Sequence, residues 1–247
     1  ITVRKIRETK MYRLGLLACD FVPDDLRDRF DDYPVMFGAA VASVDVDVEW
    51  RVYRVFDKEL PGEIDECDGY ITTGSRSGAY DKDAWILLLE KFIQRLIGSQ
   101  TPLVGICFGH QVIAQALGGL VKKSEKGWGI GIQRHTIEDS IDRAWMNPTM
   151  EQFTIPVCHQ DQVTSLPVGA RLLASNGHCE NFMVQFNDTM LGMQGHPEFD
   201  PNYIEVLLEL RSKIITGEVR EDALRSLSRE HNNTIIMQWI TNFLGVK

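Results

Sequence analysis

Hydrophobic positions in this 247-residue chain fall into two kinds of segment: short apolar or β-branched runs, and longer stretches where apolar residues return every third or fourth position. The two kinds alternate through the first half, which predicts a parallel sheet whose strands are joined by crossover helices. YRLGLLA at 12–18 reads as the first strand. Leu26, Phe30, Phe37 and Val41 then share one side of a helix that Pro34 should kink or split, because proline lacks a donor and its ring collides with the preceding turn. VDVEWRVYRVF (46–56) and DGYITTGS (68–75) are the next strand candidates. Between Asp83 and Gly98, residues Trp85, Leu88, Leu89, Phe92, Ile93 and Leu96 form the stripe of an amphipathic helix behind an acidic cap region. TPLVGIC (101–107) follows as a largely apolar fourth strand, the texture of the buried centre of a parallel sheet.

After Gly119 the pattern changes to strand-like pieces separated by turns: GIGIQRHTIE, FTIPVCHQDQV, RLLAS, NFMVQFN and TMLGMQGH. This half is expected to add antiparallel strands before the chain returns to the main sheet. DPNYIEVLLELRSKII (200–215) reads as a helix with Asp200 as cap and Pro201 at its first position. NTIIMQWITNFL (233–244) reads as a closing amphipathic helix. With no internal repeat, low-complexity tract or linker in view, the expectation is one α/β domain over 11–247, with a mostly parallel central sheet, helices on both faces and a small antiparallel sheet. The basic opening ITVRKIRETK (1–10) is read as a short extension or a cloning remnant.

Charge and composition narrow the class. Twenty-six Lys and Arg against 35 Asp and Glu give a formal charge of −9, so the phosphate-neutralising charge that drives nucleic-acid binding is missing. No apolar run approaches the ~18 residues needed to span a bilayer, so no membrane partner is expected. The five cysteines, Cys19, Cys67, Cys107, Cys158 and Cys179, form an odd set without a C-x-x-C pair and fit a reducing cytoplasm.

One stretch carries chemistry. In GICFGHQVIAQALGG (105–119) a cysteine stands between two glycines, where an apolar strand passes into a helical pattern. A strand-to-helix turn of the form Gly-x-nucleophile-x-Gly is so tight that flanking side chains would collide, and Gly105 and Gly109 remove the collision around Cys107. The turn exposes the thiol at the carboxyl end of a central strand, facing a helix N-terminus that favours a thiolate. The backbone N–H of Phe108 becomes one donor to a developing oxyanion, and Gly74 in ITTGSRSG is the natural second. A buried, inert cysteine is the competing reading.

A thiol nucleophile needs a base, and the base needs an orienter. Of the six histidines, only His196 comes with a carboxylate two positions on, in QGHPEF. Residues i and i+2 of extended backbone point to the same side, so Glu198 can hold one ring nitrogen while the other faces the thiol. His110 is read as packing, His135, His178 and His231 have no evident partner, and His159 is assigned a loop-ordering role. Cys158, His159, His178 and Cys179 lack metal-ligand spacing, so no metal is expected. No G-x-G-x-x-G follows the first strand, so no dinucleotide cofactor is expected either.

CDGYITTGS (67–75), GICFGHQ, CHQDQV and QGHPEF, in that order, resemble the class I (triad) glutamine amidotransferases, the family of the GMP synthetase glutaminase domain. They span about the middle 130 residues. The resemblance implies the flavodoxin-like fold of that family, with Cys107 as nucleophile, His196 as base and then acid, and Glu198 as its orienter. It also implies Gly74 and Phe108 as the oxyanion hole, and Gln111 with the Gln160 and Asp161 loop as holders of the amino-acid end of a γ-glutamyl substrate. The reaction implied is hydrolysis of glutamine to glutamate and ammonia through a γ-glutamyl thioester.

Synthetase-linked members usually read Ser-His-Gly-Asp where this chain has Cys158, His159, Gln160 and Asp161. That wording is closer to stand-alone γ-glutamyl peptidases acting on glutathione-type compounds, which are the alternative reading. No synthetase domain follows the site, so an ammonia-accepting synthetase is expected to be a separate subunit or to be absent. A non-catalytic regulatory subunit is the third alternative.

Overall fold

The structure, a computed structural model, describes residues 11–138 and 143–247; the opening segment 1–10 lies outside the described residues. Four of the predicted strands, β1 (Tyr12–Ala18), β2 (Val48–Arg54), β3 (Gly69–Thr72) and β4 (Leu103–Ile106), pair in parallel in the order β2-β1-β3-β4. The last strand, β11 (Met190–Met193), returns and pairs in parallel beside β4. From there the sheet continues antiparallel through β10 (Met183–Asn187), β9 (Arg171–Ser175), β6 (Gly129–Ile137) and β7 (Gln152–His159), nine strands in all. β5 (Leu120–Lys123) and β8 (Asp161–Ser165) form a separate two-stranded antiparallel sheet.

Side chains of the parallel strands alternate between two cores because successive strand residues face opposite ways. Leu14, Leu16, Ile71, Val104 and Ile106 join α2 (Tyr33–Ala42), α5 (Pro201–Leu210) and α7 (Asn233–Leu244) on one face. Leu17, Tyr70 and Leu103 join α3 (Ala84–Leu96) and α4 (Phe108–Ala116) on the other. Covered on both faces, the central strands need no polar side, which explains their near-continuous apolar wording.

Three boundaries differ from the sequence reading. The helix across Leu26 to Val41 is split, as Pro34 suggested it could be, into α1 (Asp24–Phe30) and α2, but the break falls at residues 31–32, before the proline. Asp31 breaks the chain at a φ of 62°, and Asp32 caps α2 by accepting from the Tyr33 N–H at 2.9 Å, with Pro34 in its first turn. FTIPVCHQDQV is not one strand: β7 ends at His159 and β8 starts at Asp161, leaving Gln160 at the junction. The helix capped by Asp200 stops at Leu210, short of the apolar pair Ile214 and Ile215. A further helix, α6 (Gly217–Ser226), fills the space before α7.

The parallel order matters for the site. β1, β3, β4 and β11 deliver their carboxyl ends to one edge of the sheet, where open α/β sheets place their ligands. The segments that follow them, at residues 19–22, 73–78, 107 and 194–198, meet there.

Candidate active site

Cys107 links β4 directly to α4 with φ 52° and ψ −100°, a conformation that costs a non-glycine residue on the order of 1–3 kcal/mol. The surrounding packing holds it there. The Cys107 N–H donates to the Met193 carbonyl at 2.7 Å, tying the turn to β11. A methyl group on Gly105 would come within 2.5 Å of the Gly109 carbonyl carbon, and one on Gly109 would land on the Thr72 hydroxyl of β3. Both glycines are therefore demanded by close approach, one between strand and helix and one between helix and neighbouring strand.

His196 and Glu198 follow β11. His196 Nδ1 and Glu198 Oε1 lie 2.7 Å apart, and both side chains are buried. The imidazole stacks on Phe199 at 4.0 Å with 5° between planes, and the His196 N–H donates to the Pro156 carbonyl at 2.9 Å. With Nδ1 taken by Glu198, the ring lies near enough to Cys107 for the sulfur's charge to favour its protonated form. Gly74 closes the third side: a methyl group there would sit 2.9 Å from His196 Cε1 and 3.7 Å from Cys107 Cβ. Sulfur, imidazole, carboxylate and the Gly74 backbone thus share one buried spot.

Burial, the largest single influence on His196, disfavours its protonated form; the charges of Glu198 and Cys107 and the hydrogen bond to Glu198 outweigh it, so its pKa is raised. The other buried histidines go the opposite way. Burial lowers His110 to about 4, and burial, then neighbouring histidines, lowers His135 and His159 to about 3.

Two cavities open on either side of Cys107 and share Arg76, Cys158 and Arg211 as their common wall. One, of about 490 Å³, contains Gln111, Gln160 and Asp161, together with His159. Gln111 Nε2 donates to the Asp161 carbonyl at 2.8 Å and to Gln194 Oε1 at 3.1 Å, so this amide is held in place rather than swinging free. The other, of about 210 Å³, lies on the His196 side and is mainly aromatic and aliphatic. Phe108 opens α4, and its ring packs against Trp85 at 5.4 Å between centroids.

His110 is fully buried and bonds the Asn181 carbonyl at 3.0 Å, while His135 stacks on Phe182 at 3.4 Å. His159 and His178 meet edge to face at 5.7 Å. Among the described residues, no group of three or more His, Cys, Asp and Glu side chains is arranged to hold a metal ion.

Several residues at the site carried no signal in the sequence reading. Gln194 Nε2 reaches the Cys107 sulfur at 3.5 Å, and only the register of β11 beside β4 puts it there. Asp20, at the end of β1, binds the loop that carries Gly74: its carboxylate accepts from the Arg76 backbone N–H, from Nε and from Nη2, at 2.9, 2.9 and 2.7 Å. Fifty-six positions separate the two, so no local pattern could pair them.

The sequence matches the family model "Glutamine amidotransferase class-I" over residues 41–207. It is 30% identical to γ-glutamyl peptidase 3 of Arabidopsis thaliana over 87% of this chain and 86% of that protein. It is 37% identical to one subunit of the glutamine-hydrolysing GMP synthase of Sulfolobus acidocaldarius, over 39% of this chain and 50% of that one. In fold, the crystal structure of a glutamine amidotransferase from Thermotoga maritima superposes with a TM-score of 0.75 at 18% identity, covering 95% of this chain and 98% of the other. With this match over most of its length, and a mixed sheet that gathers its carboxyl ends around one elbow cysteine, the chain belongs to the class-I glutamine amidotransferase family.

Proposed function

We propose that Cys107, His196 and Glu198 form the catalytic triad of a hydrolase for γ-glutamyl amides. The observation that carries this reading is their convergence: one imidazole bonded to a buried carboxylate at 2.7 Å and packed, with Gly74, beside Cys107. The thiolate attacks the γ-carbonyl carbon, and the oxygen takes up negative charge facing the backbone N–H groups of Gly74 and Phe108. The C–N bond breaks as His196 passes its proton to the departing nitrogen, leaving a γ-glutamyl thioester and a free amine. His196 then draws a proton from water, the resulting hydroxide attacks the thioester, and glutamate and the thiol are released. No external oxidant or cofactor enters this balance.

Gln111, Gln160 and Asp161 hold the amino-acid end of the substrate in this reading, supported by their shared cavity beside Cys107. Glutamine is the simplest substrate. The likeness to a γ-glutamyl peptidase, together with the cavity on the His196 side, favours a second reading in which the departing amine is larger than ammonia. The partial likeness to a component of GMP synthase supports a separate synthetase as ammonia acceptor if glutamine is the substrate. Cys19, Cys67, Cys107, Cys158 and Cys179 are all free thiols, which fits a reducing, cytoplasmic setting, and no helix among the described residues is long and apolar enough to cross a membrane.

The test is glutamate release from glutamine and γ-glutamyl dipeptides by the purified chain. Cys107→Ala should abolish release with the circular dichroism spectrum unchanged; full activity in that variant would place the chemistry elsewhere, whereas no release by the parent chain from any of these compounds would leave the non-catalytic, regulatory alternative standing.

A further inference from the structure

The two cavities flanking Cys107 differ in charge as well as in lining. The cavity that holds Gln111 presents both signs, Asp81 and Asp161 against Lys123, Arg76 and Arg211. That mixture suits the ammonium and carboxylate of a glutamyl head group. The cavity on the His196 side is walled by Phe21, Leu26, Tyr33, Phe199, Tyr203 and Leu207, and beyond His196 and Cys107 themselves the charged residues among its described lining are Arg76 and Arg211. Ammonia needs little room there, since a water-sized molecule requires only about 10–15 Å³ of such space. At about 210 Å³, the cavity is suited to a body of many atoms with apolar surface.

The two arginines are not equivalent. Asp20 neutralises Arg76 in a two-pronged ion pair, and the Arg76 guanidinium rests 5.0 Å above the Phe21 ring. Arg211, at the C-terminal end of α5, has no carboxylate among the described residues within ion-pair distance. Its contacts are the Trp128 ring at 5.6 Å and a long bond to the Leu207 carbonyl at 3.4 Å. It lines both cavities, which places it at the seam between them. A guanidinium with free donors beside an apolar wall is a receptor for a carboxylate attached to an apolar group.

Resting on the hydrolase reading above, we infer that Arg211 is a specificity-determining residue that binds the carboxylate of the departing amine, so that the preferred substrates are γ-glutamyl dipeptides whose second residue is aromatic or aliphatic. The apolar side chain of that residue fills the cavity against Phe199 and Tyr203, its carboxylate meets Arg211, and its nitrogen stands between the Cys107 sulfur and His196. The bond broken and the proton transferred are those of the general mechanism; only the identity of the amine is added.

The experiment compares kcat/KM for three compounds with the purified chain: glutamine, γ-glutamylphenylalanine, and γ-glutamylphenethylamide, which keeps the ring and lacks the carboxylate. The wild-type protein should favour the dipeptide over the phenethylamide by about tenfold or more, the scale of one charge-assisted contact. In Arg211→Gln that ratio should fall toward one, and Arg211→Lys should restore part of it. A wild-type ratio near one, or a ratio unchanged in Arg211→Gln, would overturn the assignment, as would a preference for glutamine. Turnover of none of the three would instead remove the hydrolase reading itself, and the assignment with it. Because the wild-type ratio is read first, a variant that failed to fold would leave the inference open to refutation.

Discussion

The Asp20 carboxylate grips Arg76 at three points, two on the guanidinium and one on the backbone N–H, all within 2.9 Å. A second tie runs beside it, from the Cys19 N–H to the Thr73 hydroxyl at 2.9 Å. Gly74 lies between the two tethered residues, so the end of β1 fixes the backbone that packs beside Cys107 and His196. The loop is thus held as a rigid edge of the site rather than as a flexible strap.

Loosening that grip should act on the rate more than on binding. In Asp20→Asn the carboxylate loses its charge and one of its acceptor oxygens, and Gly74, the oxyanion donor in the proposed mechanism, loses the tether that fixes its backbone. We expect kcat on any hydrolysed γ-glutamyl amide to fall about ten- to a hundredfold with KM changed far less. Equal effects on kcat and KM, or a change in KM alone, would count against a positioning role.

The raised pKa of His196 depends on its neighbours, and one of them can be removed. Burial opposes the proton, while Glu198 and Cys107 favour it. In Cys107→Ala the share contributed by the sulfur disappears, so the imidazole should titrate at lower pH than in the parent protein, read from its NMR resonances. For folding, a histidine pKa raised above its unfolded value of ~6.5 adds stability that is fully present below that pH. The gain is lost as pH rises through the folded value. A titration unmoved by loss of the sulfur would show that the two side chains do not interact.

His110, His135 and His159 predict an opposite dependence at acid pH. Their folded values, about 4, 3 and 3, lie below the unfolded ~6.5, so the unfolded chain binds more protons between those limits. The stability they provide is present above pH ~6.5 and is lost as pH falls toward the folded values. At pH 5 each costs on the order of 1–2 kcal/mol. Neither ring nitrogen of His135 bonds any described residue, and its ring lies on Phe182. His135→Phe keeps the aromatic stack and removes the proton site. Urea unfolding at pH 7.5 and pH 5 should then show a smaller loss than in the parent; an equal loss would place the acid sensitivity in other groups.

What the sequence disclosed, and what it withheld, divides by distance along the chain. Gly105, Cys107 and Gly109 announce their turn because its constraint acts within five residues. The His196 and Glu198 pair is visible from its spacing of two, but a turn after β11, closed by the Phe199 N–H on the His196 carbonyl at 3.3 Å, brings the side chains together where extended backbone was expected. The central strands are legible because burial on both faces leaves them apolar throughout. In contrast, β5 is four residues long with three of them exposed, and α6 is mostly polar, so neither presents a periodic stripe. The break at Gln160 depends on β8 leaving the main sheet to pair with β5, a choice made by packing. Asp20, Gln194 and Arg211 acquire meaning only when strand ends and a helix end far apart in sequence are brought to one rim.

The unequal charge of the two cavities gives the cleft a direction. A γ-glutamyl compound entering head first finds acidic and basic groups for its two termini, whereas the same molecule reversed would press its ammonium against a guanidinium and bury it among rings. In the proposed hydrolase, charge would thus sort the two orientations of a substrate before the sulfur meets any carbonyl.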